Sequence, residues 1–77
     1  MTSKSFGWHK SWQALQNGRR RHLSGLEFEH DEDLGWSTCE DTMDEFQAYE
    51  VARGVPLHDI QNRLMRLARE CAEWRES

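Results

Sequence analysis

The apolar residues Leu57, Ile60, Leu64, Leu67, Cys71 and Trp74 recur with spacings 3-4-3-4-3, the seam of an amphipathic helix. A stripe this regular has to be covered, either by the rest of the chain or by a second copy. The chain has 77 residues, near the lower size limit for folding without disulfides or metals, so it reads as one small domain over 1–77 that needs the stripe for its own core. Met1 to Lys4 reads as a loose tail. Hydrophobic content is only 36%, but four tryptophans and three phenylalanines add large apolar areas per residue. That supports one small core and leaves little room for an enclosed pocket, which argues against a small-molecule enzyme.

Three further elements precede the seam. Trp8, Trp12 and Leu15 stand at i, i+4 and i+7, a helical period that Ser5 can cap and Asn17-Gly18 can stop. Arg19 to His30 then holds two short alternating runs around Ser24-Gly25. A two-residue hairpin there pairs Leu23 with Leu26, His22 with Glu27, and Arg20 with Glu29; the competing reading is an irregular acidic loop through His30 to Asp33. Ser37-Thr38-Cys39-Glu40 fits a capping box, and Cys39, Met43, Phe46 and Tyr49 give the following helix an apolar side. Gly54 ends that helix, Val55 bridges, and Pro56 suits the first position of the seam helix. So short a joint makes the last two helices neighbours, antiparallel or steeply crossed. The expected fold is mostly α, a small α+β domain of order α-β-β-α-α with one short hairpin and a C-terminal helix pair.

Charge is segregated along the chain. Most of the fourteen acids fall between Glu27 and Glu50, and no lysine or arginine occurs from His22 to Ala52. The residues before His22 contain Lys4, Lys10, Arg19, Arg20 and Arg21 and no acid, so the net charge of −4 hides the pattern. A block of like charge repels itself, and persists where it is solvated, internally paired or complementary to a partner. On a helix Glu40 and Asp44, and Asp41 and Glu45, are four apart and mildly destabilising. Together with Glu29, Asp31, Glu32 and Asp33 they form an anionic surface, with Trp36 in a loop between the clusters either as an exposed anchor or as part of the core. Carboxylates along a rigid helix present charge as phosphates do and can occupy a basic groove on another protein. In surface logic this resembles the small acidic DNA-mimic inhibitors of phages and mobile elements; that likeness implies a protein-binding inhibitor or regulator whose partner is a basic, nucleic-acid-binding protein.

An alternative uses the joint Glu45 to Ile60. Gly54, Val55 and Ile60 have the offsets of a helix-turn-helix, whose second helix would offer Gln61, Asn62, Arg63 and Arg66 to base edges while Arg19, Arg20 and Arg21 contact phosphate. Glu50 stands where such a motif has a small residue, and acids begin the first helix, which opposes the electrostatic term that dominates DNA affinity. A third reading is a structural subunit joined through the Leu57–Trp74 seam as a homodimer, with Met65 covered in the oligomer and exposed in a monomer.

His30-Asp31-Glu32-Asp33 lacks the calcium-loop pattern, and the histidines with Cys39 and Cys71 lack zinc spacing, so neither a metal nor another cofactor is expected. Nothing supplies a nucleophile elbow, a phosphate loop or a paired-carboxylate motif. Two cysteines without framework spacing suggest buried thiols in a reducing compartment, and the absence of a leader-like or membrane-length apolar run suggests a cytoplasmic chain.

Overall fold

The computed structural model describes Trp8 and residues 10–75. Four strands come first, β1 (Trp12–Ala14), β2 (Arg20–His22), β3 (Glu27–Asp31) and β4 (Gly35–Thr38), followed by two helices, α1 (Glu40–Ala52) and α2 (Leu57–Glu73). The strands form one antiparallel meander in the order β1-β2-β3-β4. The order is therefore β-β-β-β-α-α. This corrects the expected mostly α fold of order α-β-β-α-α with a single hairpin. The expected tail, Met1 to Lys4, lies outside the described residues.

The first correction is at Trp12. No helix forms there: Trp12–Ala14 is a strand paired with β2, Trp12 opposite His22 and Ala14 opposite Arg20. Trp12 is buried at 3% exposure while Trp8 is 46% exposed, so the two do not share a buried stripe. The Ser5 to Gly7 end of the expected helix lies outside the described residues. Asn17-Gly18 does not stop a helix but turns a hairpin: the Gly18 amide donates to the Leu15 carbonyl (3.1 Å) and the Leu15 amide to the Arg19 carbonyl (2.8 Å).

The second hairpin repeats this geometry. The Gly25 amide donates to the His22 carbonyl (2.9 Å) and the His22 amide to the Leu26 carbonyl (2.8 Å). Both loops have three residues and close on a glycine at positive φ, +87° at Gly18 and +98° at Gly25, the turn-plus-bulge form that glycine adopts without steric cost. The loop is one residue longer than the expected Ser24-Gly25 turn, and the register slips by one. Arg21 pairs with Glu27 and Arg20 with Phe28. A one-residue slip reverses the faces, so Leu23 turns to solvent (63% exposed) and Arg20 turns inward beside Leu26 and Phe28.

The acidic stretch after Phe28 is neither loop nor helix. It is the third hairpin, with His30 opposite Trp36 and Asp31 opposite Gly35. β4 continues through Thr38, so Ser37-Thr38 are strand residues and do not form a capping box; Cys39 is the N-cap and makes no side-chain cap bond. Thr42 ties the first turn of α1 to the sheet instead. Its hydroxyl donates to the Cys39 carbonyl (3.1 Å) and accepts the Glu27 amide (3.0 Å).

The sheet is covered on one face. Trp12, Leu26 and Phe28 meet Phe46 of α1, Ile60, Leu67 and Cys71 of α2 and Trp74 just beyond its end, with Ala14, Trp36, Met43, Val55, Leu64 and Ala68 at the margin. Full burial of Leu26 and Phe28 contributes roughly 1.5–3 kcal/mol each. α2 packs on β4, and the apolar seam is used there. Ile60, Leu67, Cys71 and Trp74 are buried, while Leu57 at the helix start and Met65 off the seam are exposed.

α1 ends in a Schellman turn. The Gly54 amide donates to Val51 (2.9 Å) and the Val55 amide to Glu50 (3.0 Å). No helix among the described residues is long and apolar enough to cross a membrane.

Candidate protein-binding surface

Strand register decides the fate of the basic run. Because side chains alternate across a strand, Arg19 and Arg21 leave the outer face of the sheet and Arg20 the inner. Arg19 Nη1 donates to Glu27 Oε1 (3.0 Å), and Arg21 Nη2 and Nε donate to Glu27 Oε2 (2.9 and 3.2 Å). One carboxylate thus takes two guanidiniums, and only a weaker approach to Asp41 (3.9 Å) extends from Arg19. Arg20 lies over the Trp36 ring (4.3 Å) and beside Trp74 (5.1 Å), and its guanidinium donates to the Cys71 carbonyl in the last turn of α2.

The acidic block divides in two. At one corner, where β4 meets α1, Arg19 links Glu27 to Asp41, Glu29 follows Glu27 on β3, and Glu40, Asp44 and Glu45 continue along α1. At the far end of β3 lies the tip group Asp31, Glu32 and Asp33, four residues or roughly 13 Å along the strand from Glu27. Asp31 is a turn residue. Its Oδ1 accepts the amides of Asp33 (2.8 Å) and Leu34 (3.1 Å), and these bonds, the Asp33 one foremost, hold its carboxyl below the usual carboxylate range. Among the described residues no cation lies within 4.0 Å of Glu29, Glu32, Asp33, Glu40, Asp44 or Glu45, and all six are exposed.

Trp36 is not a loop residue. It stands in β4, half-buried between Arg20 and the His30 ring (5.2 Å). The helix-turn-helix candidates separate too. Gln61, Asn62 and Arg66 are exposed on α2, whereas Arg63 is half-buried, 5.6 Å from the Phe46 ring and 4.0 Å from Glu50. Glu50, only 4% exposed, receives Arg53 Nη1 at 2.7 Å. It fills the position where a small residue would sit and binds the joint with its carboxylate.

Both thiols are inside. Burial raises the Cys39 pKa and pushes Cys71 up to about 11. No group of three or more histidine, cysteine, aspartate or glutamate side chains suited to a metal ion occurs among the described residues.

Among the described residues, one concavity lies at the end of α2 and another beside the acidic corner. An open cleft of about 360 Å³ lies between Lys10-Ser11-Trp12 and the end of α2 at Trp74-Arg75. A smaller cavity of about 190 Å³ is lined by Ser24, Gly25, Thr42, Glu45, Phe46 and Tyr49. Sequence reasoning placed Tyr49 on the apolar side of α1, yet it is 63% exposed. The signal for a second, solvent-facing row was the i, i+4 spacing of Glu45 and Tyr49. The chain matches no protein-family model, no curated protein and no solved structure.

Proposed function

We infer that this chain is a non-enzymatic protein-binding regulator that lays its acidic corner on a basic surface of a partner, of the kind nucleic-acid-binding proteins present. One observation carries the reading. The three arginines that precede the acidic block are spent on Glu27 and on the Trp36–Trp74 stack, so among the described residues Glu40, Asp44 and Glu45 of α1 keep their charge unrelieved and Asp41 meets only Arg19, at 3.9 Å. Unpaired like charges at i, i+4 cost a few tenths of a kcal/mol per pair, and complementary charge on a partner removes that cost while steering encounter. The same placement takes phosphate contacts away from the DNA-binding alternative, because Arg19, Arg20, Arg21 and Arg63 already have partners. The seam of the subunit alternative is likewise filled from within.

The test is capture from a nuclease-treated lysate of the native cell by wild type and by the Asp41→Asn, Asp44→Asn, Glu45→Gln triple variant. A nucleic-acid-binding protein held by wild type, displaced by added duplex DNA and lost by the variant is the expected result. Equal retention by both, or retention that DNA does not displace, overturns the reading.

A further inference from the structure

The cavity between the second hairpin turn and α1 joins the acidic corner to an aromatic wall, and its chemistry is specific enough to name what enters it. Phe46, 7% exposed, belongs to the core, and Tyr49, 63% exposed, lines the cavity with the Arg53 guanidinium near its ring. Ser24 and Thr42 also line the cavity, and their hydroxyls are already used, Ser24 Oγ with His22 Nδ1 (3.0 Å) and Thr42 Oγ1 with Cys39 and Glu27. Glu45 is the lining group left over: among the described residues its carboxylate has neither an ion pair nor a hydrogen bond. At about 190 Å³ the cavity is smaller than the roughly 300 Å³ at which small-molecule sites begin, and suits a single side chain. A lining of mixed polar and apolar surface that carries one unpaired carboxylate suits a long side chain with an apolar stem and a cationic head. The Tyr49 ring already accepts one guanidinium, that of Arg53 at 5.5 Å, whose charge Glu50 balances at 2.7 Å.

Resting on the proposed docking of the acidic corner, we propose that this cavity receives one arginine side chain of the basic partner. The stem lies along Phe46 and Tyr49 and the guanidinium pairs with Glu45. Arginine fits better than lysine because a planar guanidinium both stacks on a ring and forms two parallel hydrogen bonds with a carboxylate.

The test is a titration of the full chain with the blocked tripeptide acetyl-Gly-Arg-Gly-amide, read by backbone amide NMR, with the citrulline analogue as the uncharged control. Saturable shifts at Gly25, Glu45 and Tyr49 are expected with the arginine peptide. Glu45→Gln, a change at an exposed position, should weaken them about tenfold or more, as removal of a charge-assisted contact does. Equal shifts with the citrulline peptide, an unchanged response in Glu45→Gln, or shifts as large at Asp31–Asp33 would each overturn the proposal. Its failure is distinguishable from failure of the docking reading. If the triple variant loses the captured protein while Tyr49→Ala and Glu45→Gln each hold it at wild-type level, the acidic corner stands and the cavity falls.

Discussion

The Arg20 guanidinium lies 4.3 Å from the centre of the Trp36 ring, bridging the inner face of the sheet to the C-terminal end of α2. The same group reaches Trp74 at 5.1 Å and donates to the Cys71 carbonyl, so a cation sits where the helix dipole is negative. It is held by stacking and a backbone bond, with no carboxylate within ion-pair distance among the described residues.

Arg20→Ala should therefore cost about 2 kcal/mol, the size of a partly desolvated cation–π contact together with one charged hydrogen bond. Arg20→Lys should recover less than half of that, because an ammonium cannot lie flat on one ring while bonding the carbonyl. Urea denaturation midpoints measure both. A loss below about 0.5 kcal/mol in Arg20→Ala, the level of an ordinary surface substitution, would show that the stack does not hold the helix end.

His22 gives a pH dependence of known sign. It packs edge-on against Trp12 at 4.8 Å, and burial holds its imidazole below the ordinary value of 6.5, with Glu70 opposing the shift and Arg63 adding to it. The unfolded chain then binds more protons than the folded one as pH falls through that ordinary value. The contribution to stability is complete above about pH 6.5 and is lost below it. Urea unfolding at pH 7.5 and 5.5 should show the wild type losing stability on acidification, and His22→Gln losing less. Equal losses would assign the dependence to other groups.

The two thiols should be silent in the native chain. Cys39 is 2% exposed and Cys71 fully buried, with its thiol pushed up to about 11, so little thiolate is present near neutral pH. Labelling by a chromogenic disulfide at pH 8 should run roughly a hundredfold or more slower than in denaturant, the ratio that a stability of about 3–5 kcal/mol for so small a core allows. Rapid native labelling of either cysteine would contradict the packing of α2 on the sheet.

What was legible in the sequence was whatever carried a long pattern. Six apolar positions from Leu57 to Trp74 leave no period but the helical one, and Gly54 marks the end of α1 by itself. β1 and β4 have three and four residues, too few alternations to outweigh a chance i, i+4, i+7 match at Trp8, Trp12 and Leu15. Asn17-Gly18 is a stronger hairpin signal than a helix stop, and in the folded chain the hairpin meaning holds. The charge segregation that defines the candidate surface was plain, but its pairing was not. Whether Arg20 or its two neighbours face Glu27 depends on register parity, and a single extra loop residue at Leu23 reverses it.

The central claim is that the exposed α1 carboxylates Asp41, Asp44 and Glu45 serve a partner and not the fold. Its most direct measurement is the unfolding free energy of the Asp41→Asn, Asp44→Asn, Glu45→Gln variant against wild type at low salt. Stability equal to wild type, or higher by up to about 1 kcal/mol as like-charge pairs are relieved, is the expected result. A loss of more than about 1 kcal/mol would mean that these acids hold the structure together, and the reading of their surface as a docking face would fall.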